Sequence, residues 1–128
     1  MFGIGVDIVS IDRIAKSLEK ETFIKRIYGA EEIALFATED KIKINSLAAN
    51  FAAKEAFSKA LGTGVRGFDL NEVEILRDEL GAPYFNFYGK AADIVFVNGY
   101  KASVSLSHED DKAIAMVLLE KGKNIVNL

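Results

Sequence analysis

Three charged side chains suited to a phosphate and metal site stand among apolar residues in this sequence. Glu55 and Lys59 lie in the segment NFAAKEAFSKALGTG, residues 50–64, which is otherwise rich in Ala, Phe and Leu. Asp7 interrupts the apolar segment MFGIGVDIVSI at the start of the chain. Mg²⁺ takes one or two protein carboxylates and completes its octahedron with water and phosphate oxygens. The two acids therefore permit a magnesium site without establishing one.

Helical spacing places Glu55 on a mostly apolar surface. Residues 45–61 predict a long helix that ends at Gly62, a typical C-terminal cap. An unpaired carboxylate among Ala and Phe side chains is costly unless it finds a cation, hydrogen bonds or a proton. Lys59 lies one turn further on, so a simple ion pair on the helix surface is the alternative interpretation.

Asp7 belongs to a predicted strand, residues 2–9, with Gly3 and Gly5 on its own face. The glycines leave room for something beside the carboxylate. The alternative is an edge-strand charge that discourages aggregation.

His108 is the only histidine, and it follows the alternating strand predicted at residues 101–107. It is a candidate hydrogen-bond donor to phosphate, or else a structural or solvated side chain. The Gly-Thr-Gly at residues 62–64 could let a ligand approach the backbone closely, or could simply end the helix in a turn.

A basic face is predicted on the first helix by Arg13, Lys16 and Lys20. Residues 12–26 carry a local charge of +2, from five basic and three acidic side chains, in a chain of net charge -3. Such a face is either solvated or suited to docking an acidic protein.

The elements that would position these residues indicate an α+β fold. We expect one small domain, residues 1–128, with a mainly antiparallel sheet packed against a long central helix and shorter helices. After the first strand and a helix capped by Ser10, helices are predicted at 23–28, 31–38, 45–61 and 89–98, and strands at 72–77, 84–88, 101–107 and 114–119.

Composition narrows the class of protein. A net charge of -3 argues against a general nucleic-acid binder. The chain has no Cys, which fits a reducing cytoplasm, and neither a signal peptide nor a membrane span is apparent in the sequence.

Four segments resemble one known family in its own order and spacing: GVDIVSIDRI, FAAKEAFSKALGTG, EVEILRDELGAPYFNFYGKA and VSLSHEDDKAIAMVLLE. The family is the holo-acyl-carrier-protein synthases, the small bacterial class of 4′-phosphopantetheinyl transferases. The resemblance implies Mg²⁺-dependent transfer of 4′-phosphopantetheine from coenzyme A to a serine of acyl carrier protein, in fatty-acid synthesis. It also implies a homotrimer with sites between neighbouring subunits.

The resemblance assigns a role to each candidate residue. Asp7 and Glu55 would ligate Mg²⁺, and Lys59 would lie at the transferring phosphate. The expected coenzyme A site comprises Lys54, Lys59, Gly62, Gly64, Ser107 and His108. The expected docking face for acyl carrier protein comprises Arg13, Lys16 and Lys20. The acceptor of the serine proton stays open between Glu55 and a water beside it.

One position departs from the family pattern. Asn50 stands where an Arg often precedes F-A-A-K-E, so an ionic contact to coenzyme A is not supplied there. There are two alternatives: the affinity for coenzyme A is weaker, or another Lys or Arg supplies the contact.

Two rival functions share part of this chemistry. A Mg²⁺-dependent hydrolase of nucleotide pyrophosphates would use the same acids but need no basic docking helix. A trimeric module that binds coenzyme A or carrier protein without turnover would need no reaction at all. Incubation with coenzyme A and Mg²⁺, with and without carrier protein, separates the three.

Overall fold

The computed structural model describes residues 2–122. In chain order, its helices and strands are β1 (Phe2–Ser10), α1 (Ile11–Ser17), α2 (Glu21–Ile27), α3 (Ala30–Phe36), α4 (Ile44–Leu61), a short 3₁₀ helix (Leu70–Glu72), β2 (Val73–Arg77), β3 (Pro83–Phe87), α5 (Gly89–Asn98), β4 (Tyr100–Glu109) and β5 (Lys112–Lys121). None of the helices described combines the length and the apolar character that crossing a membrane requires.

The strands form two antiparallel sheets, which confirms the predicted α+β class. One sheet has three strands in the order β1-β5-β4, and the other is the β2–β3 hairpin. β5 is central, as its apolar character on both faces predicts. In the three-stranded sheet Asp7 stands opposite Ala115, and Ala115 stands opposite Leu106.

The long helix α4 lies at the centre of the core, also as predicted. Towards its C-terminal half, Phe57 packs against the rings of Phe68, Phe85 and Phe87 at centroid distances of 5.7, 5.6 and 5.1 Å. Towards its N-terminal half, Leu47 joins a second cluster with residues of α1, α2 and α3. Since α4 contributes residues to both clusters, packing in both clusters fixes its position.

Two local predictions need adjustment. The first helix ends at Ser17, so Lys20 lies beyond α1 and is the N-cap of α2. The strands flanking HEDDK extend into it, so only Asp110 and Asp111 remain in the turn. Asp110 has a positive φ of 54°, which such a tight reversal requires.

One face of the three-stranded sheet is apolar and open to solvent. Ile4, Val6 and Ile8 of β1 are 60, 56 and 58% exposed, and Ile114 and Met116 of β5 are 39 and 44% exposed. The other face of this sheet packs against α4. An apolar face of this kind typically marks an interaction surface.

Candidate active site

The candidate site begins where β1 lies directly against α4. A Cβ atom placed on Gly3 would overlap the carbonyl oxygen of Ala60, and one on Gly5 would overlap that of Ala56. Only glycine therefore permits this approach of strand to helix. The room that the sequence left beside Asp7 is filled by the backbone of α4.

This approach brings Asp7 to Lys59. The Lys59 ammonium donates to Asp7 Oδ1 at 3.0 Å and to the carbonyl oxygen of Val6 at 3.0 Å. The Asp7 side chain is 17% exposed and that of Lys59 is 55% exposed. Lys59 thus pairs with the acid on the strand rather than with Glu55 on its own helix.

Glu55 lies half-buried beside the same pair. Burial raises the pKa of its carboxyl, the negative charge of Asp7 raises that pKa further, and Lys59 lowers it in part. Two carboxylates near each other share one ammonium that is bonded to only one of them. The arrangement is short of positive charge, which a divalent cation would supply.

The donor set fits Mg²⁺. Carboxylate oxygens are hard ligands, and Mg²⁺ needs only one or two of them from the protein when a substrate contributes phosphate oxygens. Among residues 2–122, no three or more His, Cys, Asp or Glu side chains form a metal-binding group. At this site Asp7 and Glu55 would supply the protein ligands, and water and substrate would supply the others.

The glycine segment after α4 lies by a separate cavity. Gly62 ends the helix with a φ of 80°, confirming the predicted cap. With Thr63, Arg66 and Tyr100 among its neighbours, it lines a cavity of about 750 Å³. Gly64 also has a positive φ, of 69°. A turn alone requires both glycines, so their contact with coenzyme A stays a prediction.

Ser107 and His108 line a smaller groove of about 250 Å³. They lie on β4, the opposite edge of the sheet from β1, with β5 between. The groove is completed by α4, through Ser46 and its neighbours, and by the β2–β3 hairpin, through Arg77 and Pro83. Within one chain, His108 and Asp7 thus occupy opposite edges of the same sheet.

Lys54 does not reach either region. Its ammonium donates to Glu32 Oε1 at 2.6 Å, to the carbonyl oxygen of Leu70 at 3.1 Å and to that of Val73. An ammonium has three N–H donors, so all are used. Burial lowers the pKa of Lys54, and Glu32 partly offsets that effect. Because the side chain is fully buried, the structure does not support its expected contact with cofactor phosphates.

A buried polar network extends from this ion pair, and the sequence did not indicate it. The Asn50 amide donates to Glu32 Oε2 at 2.8 Å and to the carbonyl oxygen of Ile75 at 2.9 Å. Glu74, also fully buried, accepts from the backbone N–H of Glu31 at 2.8 Å. Within the described chain, no buried side-chain nitrogen or oxygen lacks a hydrogen-bond partner.

The three basic docking candidates share one cavity although they belong to two elements. Arg13, Lys16 and Lys20 line a depression of about 790 Å³ together with Arg26 and one acid, Glu19. All three predicted residues are exposed. Ser10 caps α1, accepting from the backbone N–H of Arg13 at 3.3 Å, which sets the start of this basic surface.

Comparison with known proteins gives a consistent picture. The sequence model of the 4′-phosphopantetheinyl transferase superfamily matches residues 3–117. A holo-[acyl-carrier-protein] synthase of Clostridium beijerinckii is 45% identical over 121 residues, covering 94% of this chain and 98% of that protein.

Solved structures of similar proteins share the fold. The crystal structure of a holo-[acyl-carrier-protein] synthase from Neisseria meningitidis is 40% identical, with a TM-score of 0.84 over 93% of this chain and 98% of that one. The synthase of Helicobacter pylori, solved in complex with coenzyme A, is 33% identical, with a TM-score of 0.76 over 91% of this chain and 99% of that one.

Proposed function

The chain belongs to the 4′-phosphopantetheinyl transferase superfamily, and from that premise we propose how its residues perform the reaction. The protein transfers the 4′-phosphopantetheine moiety of coenzyme A to a serine of acyl carrier protein, the activity of a holo-[acyl-carrier-protein] synthase. The observation that carries the proposal is the close approach of β1 to α4, which gathers Asp7, Glu55 and Lys59.

Asp7 and Glu55 are the proposed Mg²⁺ ligands. When bound, Mg²⁺ neutralises charge on the diphosphate of coenzyme A and on the leaving phosphate. The same cation would relieve the repulsion that raises the Glu55 pKa. Gly62, Gly64, Ser107 and His108 remain the proposed contacts of the rest of coenzyme A.

The reaction requires mainly that the two substrates are correctly oriented and that negative charge on the phosphates is stabilised. The serine oxygen attacks the phosphorus that bears the pantetheine arm, the bond to the adenosine-side phosphate breaks, and adenosine 3′,5′-bisphosphate leaves. Phosphoryl-type transfers depend on orientation and electrostatic stabilisation rather than covalent catalysis. The Lys59 side chain is more than half exposed, so its ammonium would stabilise the phosphate oxygens electrostatically. The serine proton passes to Glu55 or to a water beside it.

The test is the intact mass of apo acyl carrier protein after incubation with this protein, coenzyme A and Mg²⁺. We expect the gain of one phosphopantetheine per carrier protein, and none when Mg²⁺ is chelated. Nucleotide release without carrier protein would indicate a hydrolase instead. An unchanged mass with bound coenzyme A would indicate a binding module.

The cavity lined by Arg13, Lys16 and Lys20 is the proposed docking site for acyl carrier protein. Its excess of exposed positive charge suits an acidic partner. The double variant R13E/K16E should raise the KM for carrier protein about tenfold while leaving the KM for coenzyme A unchanged. Charge reversal at Lys90, on α5, is the control. An unchanged KM for carrier protein would remove this docking assignment.

The exposed apolar sheet face supports a homotrimer. Val6 and Ile8, which flank Asp7 in β1, lie on this face, so an assembly through it would bury β1 on the side of the sheet opposite the Asp7 carboxylate. A Met116→Glu variant should convert the assembly to monomers, as measured by light scattering. A wild-type protein that is monomeric at micromolar concentration would contradict the proposal.

We further propose that residues 1–128 form one domain and that the protein acts in the cytoplasm. The absence of Cys from the sequence fits that compartment.

A further inference from the structure

The groove beside His108 contains a cation that the site described above does not use. Arg77, the last residue of β2, is half-buried and lines this groove with Ser46, Ser107 and His108. The groove is therefore lined by hydrogen-bonding groups and one permanent positive charge.

The Arg77 guanidinium is held firmly in place. Its Nη2 donates to Asn50 Oδ1 at 2.8 Å, and its Nη1 donates to the carbonyl oxygens of Ile75 and Leu76 at 3.3 and 3.2 Å. The guanidinium carbon also lies 5.2 Å from the centre of the Phe36 ring. A guanidinium anchored on one edge by neutral oxygens is pre-organised to bind a ligand with its remaining donors.

The charge of Arg77 has no carboxylate partner. Among residues 2–122, no Asp or Glu oxygen lies within 4.0 Å of its guanidinium nitrogens. The carboxylate that acts on it electrostatically, Glu32, is in an ion pair with Lys54. Three of the five guanidinium N–H groups are used in the bonds above, which leaves two that can donate to a ligand.

We propose that Arg77 binds the 3′-phosphate of coenzyme A in this groove, an inference that rests on the proposed function. Coenzyme A carries a diphosphate and, on its ribose, a separate phosphomonoester. The proposed contacts of the diphosphate are Asp7 on β1 and Glu55 on α4, whereas the groove lies at β4, on the opposite edge of the sheet from β1. A phosphomonoester presents three oxygens to the planar fork of an arginine, the geometry that arginine recognises best.

Asn50 then has a defined part in coenzyme A binding. It bears no charge itself, but its amide oxygen fixes the arginine of another strand beside the groove. The positive charge that is absent at position 50 of α4 is supplied by position 77 of β2. Of the two alternatives for Asn50, replacement by another basic residue is the one that the geometry favours.

The test compares coenzyme A with dephospho-coenzyme A, which lacks only the 3′-phosphate. The kcat/KM for both donors is measured in the wild type, in Arg77→Gln and in Arg77→Lys. Lys90→Gln is the charge-matched control, because Lys90 follows the opposite end of the β2–β3 hairpin. The wild type should prefer coenzyme A, and R77Q should reduce that preference on the order of 10- to 100-fold, the loss expected for a charge-assisted hydrogen bond.

R77Q should lower kcat/KM for coenzyme A more than it lowers kcat/KM for dephospho-coenzyme A, R77K should retain part of the preference, and K90Q should retain all of it. Equal losses with both donors, or an unchanged preference, would overturn the assignment. If R77Q does not fold, as judged by circular dichroism, the preference of R77K decides in the same way.

A separate binding measurement distinguishes this inference from the proposed function. Calorimetry compares adenosine 3′,5′-bisphosphate with AMP in the wild type and R77Q. If no variant modifies carrier protein but only the wild type prefers the 3′-phosphate, the transfer proposal fails and the Arg77 assignment stands. If transfer occurs and the wild type shows no such preference, only the Arg77 assignment fails.

Discussion

Lys54 and Glu55 are adjacent in the sequence, but α4 directs their charges into two different environments. Lys54 is fully buried and its ammonium is bonded to Glu32 and to two backbone carbonyl oxygens. Glu55 is half-buried beside Asp7, a like charge, and the nearby Lys59 is hydrogen-bonded to Asp7 instead. One step of 100° around the helix separates a charge with all its partners from a charge that lacks them.

The difference separates stability from function. A buried ion pair with every hydrogen bond satisfied holds elements in place, and removing one partner is strongly destabilising. A carboxylate whose pKa is raised by burial and by a neighbouring acid is typical of a functional site, where a bound ligand offsets the cost of the buried charge. The Lys54 side of α4 therefore fixes the helix against α3 and β2, and the Glu55 side carries the proposed metal site.

The largest expected effect comes from Glu55→Gln. Loss of one of two proposed metal ligands should lower kcat/KM for carrier-protein modification by about 1000-fold or more. The free energy of unfolding without Mg²⁺ should stay the same or rise, because the repulsion with Asp7 is removed. Intact-mass kinetics and denaturant unfolding measure the two quantities.

The matched control is the same substitution at Glu32. Glu32→Gln should lower stability, because it leaves the Lys54 ammonium without its counter-ion, yet its folded fraction should keep the Mg²⁺ requirement. Near-normal turnover by E55Q would remove Glu55 from the site.

Lys54→Met should mainly affect stability. Removing the ammonium leaves Glu32 as a buried charge without its cation, at a cost of about 3–5 kcal/mol in the free energy of unfolding. Because the Lys54 side chain is fully buried, the KM for coenzyme A of the folded variant should match that of the wild type. A KM raised tenfold at full stability would restore the original assignment of Lys54 to the coenzyme A site.

Lys59→Met makes the same chemical change five residues further along α4. Lys59 is more than half exposed, so its removal should cost little stability. Loss of the ammonium beside the reacting phosphate should lower kcat by about 100-fold. A variant with full kcat, or one that unfolds as readily as K54M, would erase the contrast between the two lysines.

Local patterns in the sequence predicted the elements well. The extent of α4 and its cap at Gly62 follow from helical periodicity and the need for a positive φ. The central position of β5 follows from its apolar residues on both faces. Asp7 and Glu55, 48 positions apart, were paired by family resemblance, because periodicity alone does not say which face of a helix meets which strand.

The remaining features depend on contacts between distant segments. Lys54 was a candidate for phosphate binding because the sequence does not reveal its partners. They lie on α3 and at the start of β2, outside its own segment. Asn50 appeared only as a missing charge, since Arg77, its partner, is 27 positions away. Alternation in β1 marks one apolar face, but only the fold shows that the glycine face packs on α4 and leaves the apolar face open.

The smallest expected effect is the stabilisation of the protein by Mg²⁺ alone, and its pH dependence tests the Glu55 environment. The folded protein raises the pKa of Glu55 above its ordinary value of 4.5. The folded protein thus binds this proton more tightly than the unfolded chain does. Without metal, the free energy of unfolding therefore falls within the pH window that runs from 4.5 up to the raised pKa of Glu55. Mg²⁺ binds the ionised carboxylate, so its stabilising effect should grow across the same window and level off above it.

At ten times the Kd, Mg²⁺ should add about 1.4 kcal/mol, a rise in Tm of a few degrees. Differential scanning fluorimetry with MgCl₂, against NaCl at matched ionic strength, measures this gain. E55Q should show neither the gain nor its pH dependence, whereas E32Q should show both because its acids beside β1 are intact. A gain that is equal at all pH values, or equal in E55Q, would place the cation elsewhere. The contrast between the two sides of α4 would then rest on Lys54 alone.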